Sequence, residues 1–235
     1  MQTYQENVFK QLKEIEEVNI QGFDQASTLI QECIANQGII YIFGCGHSGL
    51  LAQDQFFRAG GLGNVFPILH EPLMLHLSAS KSSFYEKQTD YINNFINDYQ
   101  FKENDLFILV STSGKNAVPV EVAKHIKTKT PTKLITISAF AYQKLSSEVI
   151  ANWGDVNLNN CCVIGDASLS VANTGFGPTS TINSAFILNV IISQGIVKCL
   201  ENDTAVDVFE SGNIEGSQVN NEKVLKKYKN VVKHL

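Results

Sequence analysis

Asp105-Leu106-Phe107-Ile108-Leu109-Val110-Ser111-Thr112-Ser113-Gly114-Lys115-Asn116 is the stretch on which the fold of this chain turns. Its first half is a short unbroken apolar run, the pattern of a strand covered on both faces. Its second half changes abruptly to hydroxyls, a glycine and an amide. A helix is expected next, over about 118–127, with Pro119 tolerated in the first turn, where no N–H is needed. The same succession occurs earlier: Gly38-Ile39-Ile40-Tyr41-Ile42-Phe43 runs into Gly44-Cys45-Gly46-His47-Ser48-Gly49. Helical periodicity follows over 48–59 and is stopped by Gly60-Gly61.

Working outward, apolar residues recur at three- and four-residue intervals from Val8 to Ile34, predicting a helical arm over 4–36 with a break at Gly22. A second strand is expected over 64–69 and a helix over 85–99, with 70–84 irregular between them. Residues 134–138 read as a strand and 141–147 as a short helix; 156–158 and 162–164 are weaker strand candidates. Residues 179–200 carry the strongest helical pattern after the first, and 220–232 a last, lysine-rich helix. Strands and helices alternating at this spacing imply βαβ units: an α/β three-layer αβα sandwich around a mainly parallel sheet. No linker or repeat divides the chain, so one domain over 1–235 is expected: an N-terminal arm to 37, a core over 38–200 and a C-terminal turn and helix.

Composition narrows the function. With 235 residues, 44% hydrophobic and 17% charged, the chain can bury one sizeable core. A formal net charge of -5 gives no general attraction to nucleic acid or an anionic membrane, so a small-molecule partner is favoured. The start of the sequence lacks the basic and apolar regions of a secretory signal, and 185–200, with Asn189, Ser193, Gln194 and Lys198, falls short of a membrane span. A cytoplasmic protein is expected. Five cysteines without C-x-x-C spacing read as reduced packing residues. Cys45, inside the first loop, is the one whose thiol a helix N-terminus would activate. Arg58 is the only arginine, so a phosphate site here needs backbone amides, hydroxyls or a lysine.

The first loop formally matches G-x-G-x-x-G, but the acidic residue that holds a dinucleotide ribose is met only loosely by His70-Glu71 after the second strand. The same glycines let backbone amides at a helix N-terminus approach a phosphate. The second loop favours phosphate, because a strand-to-helix turn does not require three successive hydroxyls.

The pair Gly44-x-Gly46-x-Ser48 and Ser111-x-Ser113-Gly114-x-Asn116 resembles the SIS (sugar isomerase) domain family over about 38–200. With 113–121 and Phe209-Glu210-Ser211-Gly212-Asn213, it is most similar to single-domain SIS proteins carrying a phosphoheptose isomerase label. The resemblance implies a phosphosugar-binding sandwich with a five-stranded, flavodoxin-like parallel sheet, assembled as a homodimer or larger. It makes Ser48, Ser111, Ser113 and Asn116 phosphate ligands, with Gly46, His47 and Thr112 lending amides. Asn116 departs from the Ser or Thr usual there. It also implies a sugar-phosphate isomerase or etherase.

Such chemistry needs a base beside the sugar carbonyl. Glu71, just past the second strand, is the first candidate; Glu86, at the expected start of the next helix, and His47, in the first loop, follow. Glu121 is expected on an exposed helical face. Glu210, Asn213 and Glu215 are further polar candidates near the end. The phosphoheptose isomerase branch carries an acid–base histidine on its long late helix, whereas 179–200 contains none. That absence keeps a non-catalytic phosphosugar sensor in view. No metal is expected, since His70, Glu71 and His76 lack ligand spacing, and no cofactor is called for.

Overall fold

In a computed structural model, which describes residues 3–235, the chain alternates strands and helices as its periodicity requires. The strands of the main sheet are β1 (Ile40–Gly44), β2 (Val65–Pro67), β3 (Leu106–Val110), β4 (Lys133–Ser138) and β5 (Val156–Asn159). All pair in parallel, in the order β2-β1-β3-β4-β5. This is the flavodoxin-like order, not the 3-2-1-4-5-6 order of the dinucleotide fold. Its switch point lies between β1 and β3, where ligands sit beyond the strand ends.

Both faces of the sheet are covered, which is why β1 and β3 are unbroken apolar runs. On one face Ile40, Ile42, Ile108, Val110 and Ile135 pack against four helices: α1 (Tyr4–Val18), α2 (Ile20–Ala35), α3 (His47–Gln55) and α6 (Ser180–Glu201). On the other, Tyr41, Phe43, Phe107 and Leu109 meet α5 (Ala117–Lys129), α7 (Ser217–Tyr228) and the turns over 91–98. A short helix, α4 (Ala79–Tyr85), and a small antiparallel hairpin, β6 (Leu169–Val171) with β7 (Thr174–Phe176), complete the elements.

Several expectations are corrected. The arm breaks at Asn19, whose amide donates to Ile15 O and Asn159 O while its carbonyl oxygen accepts from Asn159 N. Gly22 lies inside α2, where a Cβ would come within 2.7 Å of Leu158 Cδ2, so it marks close helix–sheet approach. No helix spans 85–99. Asp90 adopts a left-handed conformation (φ 59°) that the amide-capping carboxylate of Glu121 holds, and two short 3₁₀ turns, Tyr91–Asn94 and Ile96–Asp98, follow. Glu121 is therefore half-buried against this turn instead of standing on an exposed face. Residues 162–164 form no strand. By length and composition α6 reaches the measure of a membrane span, beyond what was read for 185–200. Its Ile187, Leu188, Ile191 and Ile192 are buried in the core against the sheet.

Candidate active site

The loops after β1 and β3 open side by side at the switch point, and between them lies a cavity of about 460 Å³. The first loop turns at Gly46, whose φ of +56° is open to glycine at little cost. Its N–H donates to Leu73 O (2.9 Å), so Gly46 supplies the bend and not a free amide, contrary to the role expected of it. His47 begins α3 with its amide unspent, its ring exposed and its side chain on the cavity wall; Ser48 follows.

Ser111 closes β3 and is buried. Its Oγ accepts from Gly114 N (3.2 Å), while Thr112 O accepts from Ala139 N (2.9 Å) and Gly114 O from Ile150 N (2.8 Å). These bonds fix the loop by its carbonyls and leave the Thr112 and Ser113 amides and hydroxyls facing the cavity, which all three residues line. Helices α3, α5 and α6 all begin here, and their N-termini add partial positive charge. No lysine or arginine lines the cavity. Arg58 is committed to Asp54 at 2.6 Å, and Lys115 is exposed outside the lining.

Glu86 reaches this cavity, Glu71 does not. Glu71 opens a 3₁₀ turn, Glu71–Leu73, exposed and away from the lining residues. His70 beside it stacks on Phe95 at 4.8 Å and meets Tyr91 Oη at 3.3 Å, a packing role. Glu86 does not begin a helix as expected; it terminates α4. Its carbonyl accepts from Val118 N (3.0 Å) and its Oε1 from Asn116 Nδ2 (3.0 Å), so α5's first turn holds it from two sides. A carboxylate at the end of α4 opposes that helix's dipole, so α4 stability does not explain it. Asn116 thus directs its amide group at Glu86, and its place among the phosphate ligands passes to the backbone and hydroxyls before it.

Cys45 is fully buried, and burial, with Glu86 nearby, pushes its thiol well above its ordinary value, which removes it as a nucleophile. Glu210, Asn213 and Glu215 lie at the far C-terminal turn, outside the cavity. Among the described residues no group of three or more acidic, His or Cys side chains is arranged to hold a metal.

The far wall was not anticipated. Asp166 (φ 53°) accepts from Thr179 N (2.9 Å), Ser180 N (3.0 Å) and Ser180 Oγ (2.6 Å), capping α6 with both oxygens in use. Tyr142 Oη accepts from Gly165 N (2.7 Å) and secures the turn. Ser82 lines the opposite side with its hydroxyl donated to Leu73 O (2.8 Å), the carbonyl that also takes Gly46 N. The Gly165-Asp166 turn was a visible breaker pair, but 14 residues and the β6–β7 hairpin separate it from α6, so its capping role carried no local signal.

Comparison with known proteins agrees with this arrangement. The family profile described as the SIS domain matches residues 3–138. A UPF0309 protein of Listeria innocua is 39% identical over 212 residues, 87% of this chain and 85% of that protein. A UPF0309 protein of Halalkalibacterium halodurans is 40% identical over 232 residues, 94% of this chain and 92% of its own. Among solved structures, a phosphoheptose isomerase from Francisella tularensis superposes with a TM-score of 0.53 at 13% identity, covering 83% of this chain and 93% of the other. One from Neisseria gonorrhoeae gives 0.50 at 19%, with the same coverage. At such identities the likeness is one of fold.

Proposed function

The chain belongs to the SIS domain family, and from that premise we propose that it binds a phosphorylated sugar in the cavity between the β1 and β3 loops and isomerises it. The observation that carries this reading is the pairing of a cation-free donor cradle with one carboxylate, Glu86, that is not spent on capping a helix as Asp166 is. The hydroxyls of Ser48, Ser111, Thr112 and Ser113 and the amides of His47, Thr112 and Ser113 receive the phosphate; Glu86 stands across from them with Oε2 free. Neutral donors and helix N-termini suffice for a phosphate without an arginine.

With the phosphate anchored, Glu86 removes the proton from the carbon next to the sugar carbonyl as the carbonyl oxygen takes a proton, giving an enediol. Glu86 then returns its proton to the former carbonyl carbon while the neighbouring hydroxyl gives up its own and becomes the new carbonyl, converting aldose to ketose. In this reading His47, on the cavity wall, hydrogen-bonds the oxygen on which charge develops. Asn116 orients Glu86 by its 3.0 Å bond. In the etherase variant the same base removes the proton next to the carbonyl, the C–O bond of an ether on the following carbon breaks, and the proton goes to the departing alkoxide. This leaves an alcohol and a carbon–carbon double bond that water then adds across. Incubation with a panel of sugar phosphates in D₂O, followed by proton NMR, tests the reading: deuterium at C1 or C2 of one sugar is expected, and its absence for all of them refutes catalysis.

A second reading, a phosphosugar sensor, is favoured by one observation: α6 contributes to the cavity only Ser180, already spent on Asp166. Ligand-induced thermal stabilisation without deuterium uptake is its signature. We further propose that copies of the chain associate through α1, α2 and α6, where Phe9 (71%), Ile20 (68%) and Leu200 (60%) stand exposed; light scattering showing a monomer at micromolar concentration refutes this.

A further inference from the structure

A second, larger cavity of about 940 Å³ opens at the other edge of the sheet, under the start of β1, and shares no lining residue with the first. Its wall is aromatic: Tyr41 on β1, Phe66 on β2, Tyr99 from the preceding turn and Tyr228 at the end of α7. Tyr41 and Phe66 lie with ring centres 5.2 Å apart, and Phe66 meets Tyr99 edge-on at 5.7 Å. The position of Tyr41 is unusual, since its neighbours Ile40, Ile42 and Phe43 are purely apolar and Tyr41 itself is only 5% exposed. Its hydroxyl meets no hydrogen-bond partner among the described residues, and neither does that of Tyr99. Both residues line the cavity and neither hydroxyl is sealed from solvent, so each phenol is an unspent donor open to a ligand there.

The inner polar groups of the cavity are largely committed, while amides such as Gln37, Gln100 and Asn230 stand at its exposed margin. Asp105 has spent both oxygens, on Ile39 N (2.9 Å) and Lys102 N (2.8 Å). Lys227 and the Tyr228 hydroxyl are both committed to Asp207. Inside, two phenol donors are left; at the mouth, the ammonium groups of Lys102 and Lys233 are in no ion pair, beside the exposed carboxylates of Asp98 and Glu103. Burial, with Asp105 nearby, pushes Tyr41 up to about 12, so the phenol stays a donor at neutral pH. Unspent donors over an aromatic floor are complementary to a flat ring that carries acceptor oxygens.

We propose that this cavity is a second small-molecule site, taking a planar aromatic anion with its ring against Phe66 and Tyr99 and its acceptor oxygens on the Tyr41 hydroxyl, within reach of Lys102 and Lys233. The volume accommodates ligands from a benzoate to a nucleoside monophosphate. The test is calorimetric titration of the full chain with 2-hydroxybenzoate, the four nucleoside 5′-monophosphates and, as a neutral control, benzyl alcohol. At least one anion is expected to bind saturably, at about millimolar concentration or below. Tyr41→Phe, which removes one oxygen and leaves the ring, is expected to weaken that binding about fivefold, one hydrogen bond's worth. Its unliganded melting temperature should not fall. Lys102→Glu is expected to weaken it further, and Ser113→Ala to leave it unchanged. The inference is overturned by no saturable binding of any anion, by equal binding of benzyl alcohol, by indifference to both Tyr41→Phe and Tyr99→Phe, or by loss with Ser113→Ala, which would assign the ligand to the first cavity.

Discussion

Gly44→Ala probes how the first loop is built. Gly44 ends β1, and a Cβ there would stand 2.7 Å from the carbonyl carbon, the oxygen and the Cβ of Ser48. Carbon contacts settle near 3.5–4.0 Å, so the first turn of α3 has to retreat by about 1 Å. Replacing glycine by alanine gains about 0.4–1 kcal/mol through the unfolded chain, whereas overpacking against backbone costs about 1–3 kcal/mol. The clash wins, by roughly 1–2 kcal/mol. For a chain of this length that is a fall in melting temperature of about 2–8 °C. The retreat also carries the Ser48 hydroxyl out of the cradle, so affinity for a sugar phosphate should drop by about 1–2 kcal/mol, roughly 5- to 30-fold. Thermal unfolding with and without ligand reads both effects, because bound ligand adds RT ln(1 + [L]/Kd). Gly46→Ala is the control: its Cβ meets only Leu75 Cδ2 at 3.7 Å, so any cost there comes from φ alone. A Gly44→Ala protein that melts no lower and binds no more weakly would refute the claim that Gly44 seats α3 against the strand.

Glu86→Gln should retain phosphosugar binding within about threefold while deuterium exchange falls by 10² or more; equal exchange in variant and parent would remove Glu86 as the base. For His70, burial lowers the imidazole below its ordinary 6.5, outweighing the opposing charges of Asp98 and Glu71. The unfolded chain therefore takes the proton first, and stability should fall as pH drops from about 6.5 toward the folded value. His70→Gln should flatten that slope in denaturant titrations between about pH 5 and 7, and an unchanged slope would contradict the assignment. The buried Cys45 thiol should resist alkylation in the native protein, and reagent-dependent loss of ligand binding prevented by Cys45→Ala would show that it is reactive.

The sheet and both loops were legible because buried parallel strands read as unbroken apolar runs and the loops break them with residues that strands avoid. Residues Tyr91, Ile92, Phe95, Ile96 and Tyr99 misled for a physical reason. Their spacing is helical, yet Asp90 turns the chain left-handed, and two 3₁₀ turns present several of the same residues to the sheet. Glu86 consequently appeared at a helix start when it ends one. The β6–β7 hairpin gave no alternation to read, since it is largely exposed. Asp166 was hidden because its role depends on α6, 14 residues on, folding back to receive its carboxylate. Glu71 looked catalytic by sequence distance from β2, but the 3₁₀ turn carries it outward.

A crystal soaked with a mixture of sugar phosphates tests the phosphate cradle most directly. The expected density places phosphate oxygens about 2.6–3.0 Å from the hydroxyls of Ser48, Ser111 and Ser113, with the sugar toward Glu86. Phosphate held by surface lysines, with those three hydroxyls untouched, would contradict it.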